Sequence, residues 1–556
     1  MKSLYEDASE IKTDLDLRVY TSRLLGRDSS LVLHGGGNTS VKSSETNLFG
    51  ESEEILYVKG SGWDLATIEA EGFAPVKMDM LLQMAKLESL SDSDMVKYQR
   101  LAMTNPSAPN PSVEAILHAI IPYKFVDHTH ADAVVTITNT EDGKTRIKEL
   151  YGDKVLIIPY IMPGFVLAKL VYEMTKDLNW SEIDAMVLMN HGLFTFSDDA
   201  KESYEKTIEF VDLAEKYLLE NGARLSLDLN EVETSLPTEQ LIELAKIRQE
   251  TSKLKGKATI SLFNDSPLAQ KFSKENVEQI ATRGPLTPDH VIRTKRVPAI
   301  LNCSSFISAE MELKSYVDEY IKYFENNKKD EILLNPAPNF AILKDLGSLS
   351  FGKSKKEAKI IQDINEHTFE AILKAEKLGG YKALSPSEIF DVEYWELEQA
   401  KLKKSSSKQE FEGKIALVSG QSEASKMSAE ILQKKGASVV VLGSDESLEK
   451  ADLVKLKCDS SLSDEVQKAL EFTIKNFGGV DLLIAHRDED ELVKQSLGFL
   501  KYGVDPSIIM LTNKDEKFDF KESDTTTNIL KLRSLNKEAA ELVCAIAKNP
   551  KVKILG

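Results

Sequence analysis

The sequence predicts an α/β protein built from three successive parts. Up to about residue 230, short apolar runs that predict strands alternate with amphipathic runs that predict helices. From about residue 231 to 405 the pattern is mostly helical, and after residue 405 a β-α-β pattern returns. At about 150 residues per domain, a chain of 556 residues has room for roughly two to four domains.

The first part, residues 1–230, is predicted to be an α/β domain. Four apolar regions, rich in β-branched residues and bounded by turn residues, predict strands: LYVKGSGWDLATI, VDHTHADAVVTIT, VLIIPYI and DAMVLMNHGLFTFS. Helical spacing of apolar residues marks PSVEAILHAII and AKESYEKTIEFVDLAEKYLLENG.

The second part, residues 231–405, is predicted to be a mainly helical extension with amphipathic segments such as KKEAKIIQDINEHTFEAILKAEKLGG. The polar, aperiodic stretch KLKKSSSKQEFEG, residues 401–413, is the predicted linker. KIALVSG, a helical segment and ASVVVLGSD then give the β-α-β pattern of a nucleotide-binding half. Residues 406–556 are therefore predicted to form a Rossmann-like, doubly wound domain.

Charge and composition exclude several classes of function. A formal net charge of -19 argues against general attraction to nucleic acid or to an anionic membrane. The N-terminal residues lack the apolar run of a secretory signal, and no stretch reaches the roughly 20 apolar residues of a membrane helix. Three cysteines are too few for a disulfide framework. We therefore expect a cytoplasmic protein that acts on small molecules.

Three histidines are candidate ligands of one metal ion. His128 and His130 lie one residue apart on a predicted strand, so their side chains should leave the same face. A catalytic zinc takes three protein ligands and keeps one open position. His191 is the third candidate, because Gly192 permits a turn that presents the imidazole at a strand end. A His-x-His pair alone is more often two ordinary histidines, so the choice depends on other motifs.

One acid and two glycine loops precede these histidines. Glu114 opens a predicted helix, where it could serve as a catalytic acid/base or merely as a helix cap. His118 shares a helix face with Glu114 and is predicted to orient or pack. The loops HGGGNTS and KGSG offer backbone N–H groups to an anion, which favours a phosphate cradle over two plain turns.

In their order, the motifs GGGNTSVK, VKGSG, PSVEAILHA, VDHTHADA and MNHG resemble those of the class II aldolase and adducin family. Downstream, GPLTPDHVIRTKR and AEKLGGYKALSPSEIFDVEYWELEQAKL are similar to the branch of bifunctional rhamnulose-1-phosphate aldolase/short-chain dehydrogenase proteins. The resemblance implies a class II aldolase-like α/β/α domain that binds Zn²⁺ or another divalent metal. It also implies that His128, His130 and His191 are the metal ligands and that Glu114 is the catalytic acid/base. The substrate- or phosphate-binding residues that it implies are Gly37, Asn38, Ser61, Gly62 and Ser112.

The resemblance implies a zinc-dependent aldolase that cleaves a ketose 1-phosphate, such as rhamnulose 1-phosphate, into dihydroxyacetone phosphate and an aldehyde through a metal-stabilised enediolate. It also implies a homo-oligomer, for which a tetramer is common in the family. In one departure, Ser112 is followed by Val113, where these aldolases usually have a second hydroxyl residue, so phosphorylation of the substrate stays open. Two other readings are a sugar-phosphate epimerase on the same fold and a non-catalytic adducin-like module, which normally lacks the metal histidines.

The C-terminal part resembles a truncated and degenerate short-chain dehydrogenase. The turn after Gly420 reads QSEASK and lacks two glycines of the dinucleotide fingerprint, and Glu423 adds negative charge near the expected phosphates. The Tyr-x-x-x-Lys pair has no equivalent after Tyr502, and Asp445 alone resembles the ribose-binding acid. We therefore predict an inactive domain without NAD; a bifunctional aldolase/NAD-dependent dehydrogenase is the alternative.

A cationic cluster, Arg293, Lys295 and Arg296, follows His290 in the Pro-containing loop of the second part. Surface charge runs are ordinary, so a solvated loop face is predicted. The alternative is a loop folded over the metal cleft, where the cations would hold a substrate phosphate.

Overall fold

The computed structural model describes residues 1–227, 235–302, 306–403, 409–420, 422–443, 448–450, 452–486, 488–511, 528–532, 540–541 and 547–548. The chain divides into two compact units that interleave along the sequence. The first comprises residues 1–226, 280–297 and 367–405, and the second comprises residues 227–279, 298–366 and 406–556. The domain boundaries at residues 230 and 405 stay a prediction.

The first unit is built on a seven-stranded sheet. Its strand order is β3-β2-β1-β4-β7-β6-β5, where β5 and β6 are parallel and the other neighbours antiparallel. The strands are β1 (Asn38–Thr46), β2 (Ser52–Lys59), β3 (Phe73–Lys77), β4 (Phe125–Thr129), β5 (Val155–Ile158), β6 (Ala185–Leu188) and β7 (Gly192–Ser197).

Helices cover both faces of this sheet. Successive side chains of its central strands point to opposite faces, and the apolar side chains on each face pack in a separate core. Met186 and Phe194 belong to one core and Val187 and Leu193 to the other. The predicted α/β/α layering is therefore confirmed. The helices are α1 (Asp14–Arg27), α2 (Met78–Lys86), α3 (Asp92–Leu101), α4 (Ala115–Ile120), α5 (Asp132–Thr138), α6 (Gly143–Tyr151), α7 (Phe165–Thr175) and α8 (Ala200–Glu220).

The segment DAVVTIT was predicted as strand and is instead the helix α5, so this prediction is wrong. Residues 133–138 of the helix are all buried. Burial of its apolar side chains against the sheet outweighs the small helix penalty of β-branched residues. One consequence concerns His130, which lies in the link between β4 and α5 rather than on the strand itself.

Helices predominate from residue 235 to 403, and four short strands that the sequence analysis does not predict accompany them. The strands form a sheet in the second unit with the order β8-β11-β10-β9. They are β8 (Ile260–Asn264), β9 (Ala299–Leu301), β10 (Phe340–Leu343) and β11 (Gly347–Gly352). The helices are α9 (Thr238–Lys255), α10 (Pro267–Ser273), α11 (Val277–Ile280), α12 (Val291–Thr294), α13 (Phe306–Asn327), α14 (Lys355–Lys377), α15 (Pro386–Glu393) and α16 (Glu396–Lys403).

The C-terminal part carries a second seven-stranded sheet, with the order β14-β15-β13-β12-β16-β17-β18. The strands from β15 to β18 run parallel, and β14 adds to the edge in antiparallel orientation. This is the doubly wound order with its switch point between β12 and β16, which confirms the Rossmann-like prediction. The strands are β12 (Ile415–Ser419), β13 (Ser438–Gly443), β14 (Leu448–Lys450), β15 (Leu453–Lys457), β16 (Leu482–His486), β17 (Ser507–Leu511) and β18 (Asn528–Leu532); the helices are α17 (Glu423–Lys434), α18 (Ser463–Phe477) and α19 (Asp490–Leu500).

A buried ion pair joins α9 to the doubly wound sheet within the second unit. Arg248 donates from Nη1 and Nη2 to the two carboxylate oxygens of Asp481, at 2.8 and 2.6 Å. Both side chains are buried, so loss of either would leave an uncompensated charge in the core. The predicted linker falls partly on residues 404–408, outside the described residues; its first residues belong to α16, and Phe411 is buried.

The described helices include none that combines the length and apolarity needed to cross a membrane.

Candidate metal centre

The structure brings the three predicted metal histidines together in the first unit. His128 lies in β4, His130 directly follows that strand, and His191 lies in the turn between β6 and β7. One nitrogen from each ring falls within 4.8 Å of the others, and all three residues are buried. Residues from distant parts of the chain therefore offer three imidazole nitrogens to one small volume.

The Nε2 atoms are the nitrogens that face this volume. His128 Nδ1 lies 3.1 Å from the carbonyl oxygen of Leu193. A carbonyl only accepts hydrogen bonds, so Nδ1 carries the proton and Nε2 keeps its lone pair. His130 Nε2 lies 3.2 Å from His128 Nε2, and His191 Nε2 lies 3.8 Å from Glu114 Oε1.

The protonation of the rings suits metal binding. Burial lowers the pKa of His128 to about 4 and the pKa of His130 to about 3. Both imidazoles are therefore neutral at pH 7, which is the form that binds a metal. Nitrogen lone pairs that face one another at such short range repel each other, and a cation between them would remove this repulsion. Three imidazoles are a known ligand set of catalytic zinc.

Glu114 turns toward the histidines and does not cap the helix that it precedes. It is the N-cap residue of α4, yet its side chain makes no capping hydrogen bond. Its Oε2 accepts a hydrogen bond of 2.6 Å from Asn38 Nδ2 and lies 3.5 Å from His128 Nε2. Oε1 is buried and has no hydrogen-bond partner among the described residues.

Glu114 is held as a carboxylate. Burial raises its pKa, but the facing His128 and His191 and the hydrogen bond from Asn38 outweigh burial and lower the pKa to about 2. An ionised carboxylate with one unpartnered oxygen beside three imidazoles can accept a proton from a substrate.

A buried network fixes the position of Asn38 and, through it, of Glu114. The Asn38 Nδ2 group also donates to Ser112 Oγ at 3.1 Å, and Asn38 Oδ1 pairs with His118 Nε2. His118 Nδ1 in turn lies 2.7 Å from Ser40 Oγ. His118 thus orients the residue that holds Glu114. The side chain of Asn38 is engaged with protein atoms on both its nitrogen and its oxygen.

Two glycines allow the backbone to approach the centre closely. A Cβ at Gly192 would lie 2.3 Å from the Thr129 carbonyl oxygen and 2.9 Å from His128 Cε1. The turn itself uses Asn190, whose φ is 57°, so Gly192 serves close packing rather than the turn predicted for it. Gly37 has a φ of 56°, and a Cβ there would lie 2.6 Å from the His128 carbonyl oxygen.

The second glycine loop lies beside Ser112. Ser112 N donates to Lys59 O at 3.0 Å, and Ser61 N donates to Asn110 O at 2.8 Å. Lys59, which the sequence analysis did not single out, donates from Nζ to Gly35 O at 2.9 Å and so ties the two loops together. Gly62 has a φ of 90° and open space around it. The phosphate-binding role of these loops stays a prediction.

The Pro-containing loop also reaches the histidines. Asp289 Oδ1 lies 3.5 Å from His130 Nδ1, and both residues belong to the first unit. Burial raises the pKa of Asp289, but the interactions with the facing His130 and His290 outweigh burial and lower the pKa. Sequence reasoning missed Asp289; the only local signal was an Asp-His pair in a proline-bounded loop.

The prediction of a solvated cationic face in this loop is wrong for Lys295. Lys295 is buried, its Nζ lies 3.7 Å from Glu393 Oε1, and burial lowers its pKa to about 8. Arg293 and Arg296 are half-buried. The loop is packed against its own unit because apolar residues of α12 and α15 form a common core.

In the second unit, a carboxylate occupies the switch point of the doubly wound sheet. Glu489 accepts hydrogen bonds from Ser419 Oγ at 2.7 Å, Ser460 Oγ at 2.6 Å and His486 N at 2.7 Å. These groups stand at or just beyond the carboxyl ends of β12, β15 and β16. Gln421, Asp445 and Arg487, on which part of the dehydrogenase comparison rests, lie outside the described residues.

Comparison with known proteins identifies two family segments. Residues 17–218 match the model described as Class II Aldolase and Adducin N-terminal domain, and residues 239–402 match the model described as Aldolase class II, second domain. A protein named Uncharacterized oxidoreductase YuxG, from Bacillus subtilis (strain 168), is 28% identical over 508 residues, which are 86% of this chain and 73% of that protein.

Solved structures are similar to the first part of the chain. The N-terminal class II aldolase domain of a conserved protein from Thermoplasma acidophilum is 45% identical and covers 39% of this chain and 99% of its own, with a TM-score of 0.37. The L-fuculose-1-phosphate aldolase from Thermus thermophilus is 15% identical and covers 38% of this chain and 98% of its own, with a TM-score of 0.25. With its family matches over residues 17–218 and 239–402, the chain belongs to the class II aldolase and adducin family, and a dehydrogenase-like part follows the aldolase part.

Proposed function

We propose that this protein is a zinc-dependent class II aldolase that cleaves a ketose 1-phosphate, with rhamnulose 1-phosphate as the first substrate to test. Dihydroxyacetone phosphate and lactaldehyde are the products expected from that sugar. The observation that carries the proposal is the meeting of three imidazole nitrogens with a buried carboxylate whose Oε1 atom has no hydrogen-bond partner among the described residues. Family membership over the same residues supports it.

The proposed chemistry needs one electrophile and one proton-transfer group. His128, His130 and His191 would hold the zinc ion, which supplies Lewis-acid stabilisation for the negative charge that develops on substrate oxygen. Cleavage of the C3–C4 bond turns the C4 hydroxyl into an aldehyde and leaves the electron pair on C3. The Glu114 carboxylate would take up the proton that the C4 hydroxyl loses and deliver it to C3. In the aldol direction it would remove the proton from C3 and return it to the oxygen that becomes the C4 hydroxyl.

The remaining polar groups hold Glu114 in place. The hydrogen bond from Asn38 leaves Oε1 as the oxygen available for proton transfer. His118 and Ser112 fix Asn38 from the other side. The glycine loops are proposed to bind the substrate phosphate through the backbone N–H groups of Gly37 and Gly62 and the hydroxyl of Ser61. We expect the enzyme to act in the cytoplasm as a homo-oligomer, without nucleic acid or membrane partners.

A substrate panel tests the proposal. Protein stripped with a chelator and protein reloaded with Zn²⁺ are each incubated with ketose 1-phosphates and with the unphosphorylated ketoses, and the products are identified by mass spectrometry. Two carbon fragments from a phosphorylated ketose, formed only with metal, are the expected result. Conversion of one sugar into one isomeric sugar would show an epimerase instead. No conversion of any sugar by the zinc-loaded protein would contradict the proposal.

The C-terminal domain is proposed to lack dehydrogenase activity. Dinucleotides bind at the switch point of doubly wound sheets, outside the carboxyl ends of the strands. Here the Glu489 carboxylate lies at this point and accepts hydrogen bonds from groups at or just beyond the ends of β12, β15 and β16. A negative charge there would oppose the pyrophosphate of NAD. The domain then serves assembly or scaffolding.

We expect no saturable binding of NAD⁺, NADH, NADP⁺ or NADPH to the full chain. Calorimetric titration at cofactor concentrations up to several millimolar checks this, with an active short-chain dehydrogenase as the positive control. A saturable heat signal with a one-to-one stoichiometry would favour the bifunctional aldolase/NAD-dependent dehydrogenase.

A further inference from the structure

The second nitrogens of two candidate ligand rings differ in what they face. His128 Nδ1 faces the backbone carbonyl oxygen of Leu193 at 3.1 Å, inside the same sheet. His130 Nδ1 faces a side chain, Asp289 Oδ1, at 3.5 Å. Asp289 comes from the 3₁₀ turn Pro288–His290, far from His130 in sequence. The ring of His130 thus lies between the metal volume on its Nε2 side and a carboxylate on its Nδ1 side.

The side chain of Asp289 is partly exposed to solvent, but one of its carboxylate oxygens is not. Its side chain is 28% exposed, yet Oδ1 itself is inaccessible to solvent and has no hydrogen-bond partner among the described residues. A buried carboxylate oxygen without a partner is costly, so it must gain from a donor when the site is in use. His130 Nδ1 is a possible donor, 3.5 Å from this oxygen.

The turn that carries Asp289 is anchored on both sides. Asn139 Nδ2 donates to Leu286 O at 2.6 Å, just before the turn. Just after it, Val291 packs with Ile389 and Val392 in an apolar core, and Lys295 pairs with Glu393. All of these residues belong to the first unit. The carboxylate is therefore held against His130 by its own packing.

We propose that Asp289 is a positioning residue for the metal ligand His130, supplied by the loop at residues 285–295. Its carboxylate accepts a hydrogen bond from His130 Nδ1–H, which fixes the tautomer that leaves the Nε2 lone pair for the metal and raises the basicity of that nitrogen. The distance of 3.5 Å is longer than a hydrogen bond of 2.7–3.2 Å. A cation bound at Nε2 would make Nδ1–H a stronger donor toward this carboxylate. This inference rests on the proposed metal site.

Metal affinity tests the inference. The dissociation constant for Zn²⁺ is measured by competition with a chromophoric chelator for the full chain and for Asp289→Ala, Asp289→Asn and Asp289→Glu. We expect Asp289→Ala to weaken binding about 10- to 100-fold, the usual cost of losing such a carboxylate. Asp289→Asn keeps a hydrogen-bond acceptor without the charge, so its zinc affinity should lie between those of Asp289→Ala and the unaltered chain. Asp289→Glu should bind zinc more tightly than Asp289→Ala. Asp391→Asn, which removes an exposed carboxylate on α15, is the matched control and should match the unaltered chain.

A second readout separates positioning from a merely structural role. Thermal unfolding is recorded in excess chelator and again in excess Zn²⁺. If Asp289 only positions His130, Asp289→Ala should reduce the rise in melting temperature that zinc produces, because zinc binds the variant less tightly. The melting temperature in chelator should stay within about a degree of that of the unaltered chain. The absorption spectrum of the Co²⁺-loaded protein should also shift in Asp289→Ala and stay constant in Asp391→Asn.

The outcomes are distinct. An affinity of Asp289→Ala within twofold of the unaltered chain, or a loss of stability that is equal with and without zinc, overturns the inference and leaves the proposed aldolase intact. An unaltered chain that binds no zinc overturns the proposed metal site itself. If Asp289→Ala does not fold, the affinities of the Asn and Glu variants decide by the same criteria.

Discussion

Glu114→Gln is expected to keep the metal and to lower the rate of ketose 1-phosphate cleavage by about a thousandfold, within the usual range of roughly 10² to 10⁴ for a general acid/base. Glutamine has the same shape and can keep a hydrogen bond with Asn38, but it cannot take up or deliver a proton at neutral pH. The three imidazoles are not altered by the change. The loss should therefore appear in kcat, with zinc content unchanged.

The measurement pairs single-turnover cleavage with the zinc content of the same sample. Glu149→Gln is the matched control, since Glu149 is an exposed carboxylate on α6. It should cleave at the unaltered rate. A Glu114→Gln variant with full zinc content and an unaltered kcat would show that another group transfers the proton.

The combined change His128→Ala and His130→Ala is expected to abolish both zinc binding and cleavage. The change leaves His191 as the last of the three clustered imidazoles. Loss of a carboxylate that supports a metal ligand lowers metal affinity by roughly 10- to 100-fold, and loss of two ligands should lower it further. Zinc content by mass spectrometry and the cleavage assay check the result.

Folding has to be controlled in this experiment, because His128 is buried and stacks on Phe194 at 4.1 Å between ring centroids. Circular dichroism of the variant in chelator should match that of the metal-free unaltered chain. His486→Ala, which removes a buried histidine from the second unit, is the comparison for a simple loss of packing. Normal cleavage by the double histidine variant would refute the assignment of the metal ligands.

The part of the site that the sequence predicts consists of residues whose chemistry is specific. His128, His130, His191 and Glu114 are side chains that few purely structural positions require together, and the glycines beside them mark close backbone approach. The structure brings all four side chains into one volume. The order of the β-α-β elements likewise predicts the doubly wound sheet, because a parallel strand pair needs a crossover helix.

The parts that the sequence does not predict depend on contacts between distant residues. Asp289 is an ordinary acid in a loop until packing places it beside His130. α5 carries strand-like β-branched residues and becomes helix because the fold buries it. Lys295 looks like a surface charge and is paired inside with Glu393. Glu489 lies in a turn whose sequence departs from the dehydrogenase pattern, and only the strand order shows that it lies at the switch point.

The central claim is that the imidazoles of His128 and His130 and the distant His191 bind one divalent cation beside Glu114. An anomalous difference map, collected at the zinc edge from crystals of the zinc-loaded protein, tests it most directly. The account predicts a single strong peak about 2.0 to 2.1 Å from the Nε2 atoms of His128, His130 and His191. A peak at another set of residues, or no peak in this volume in protein that carries one zinc per chain, would contradict it.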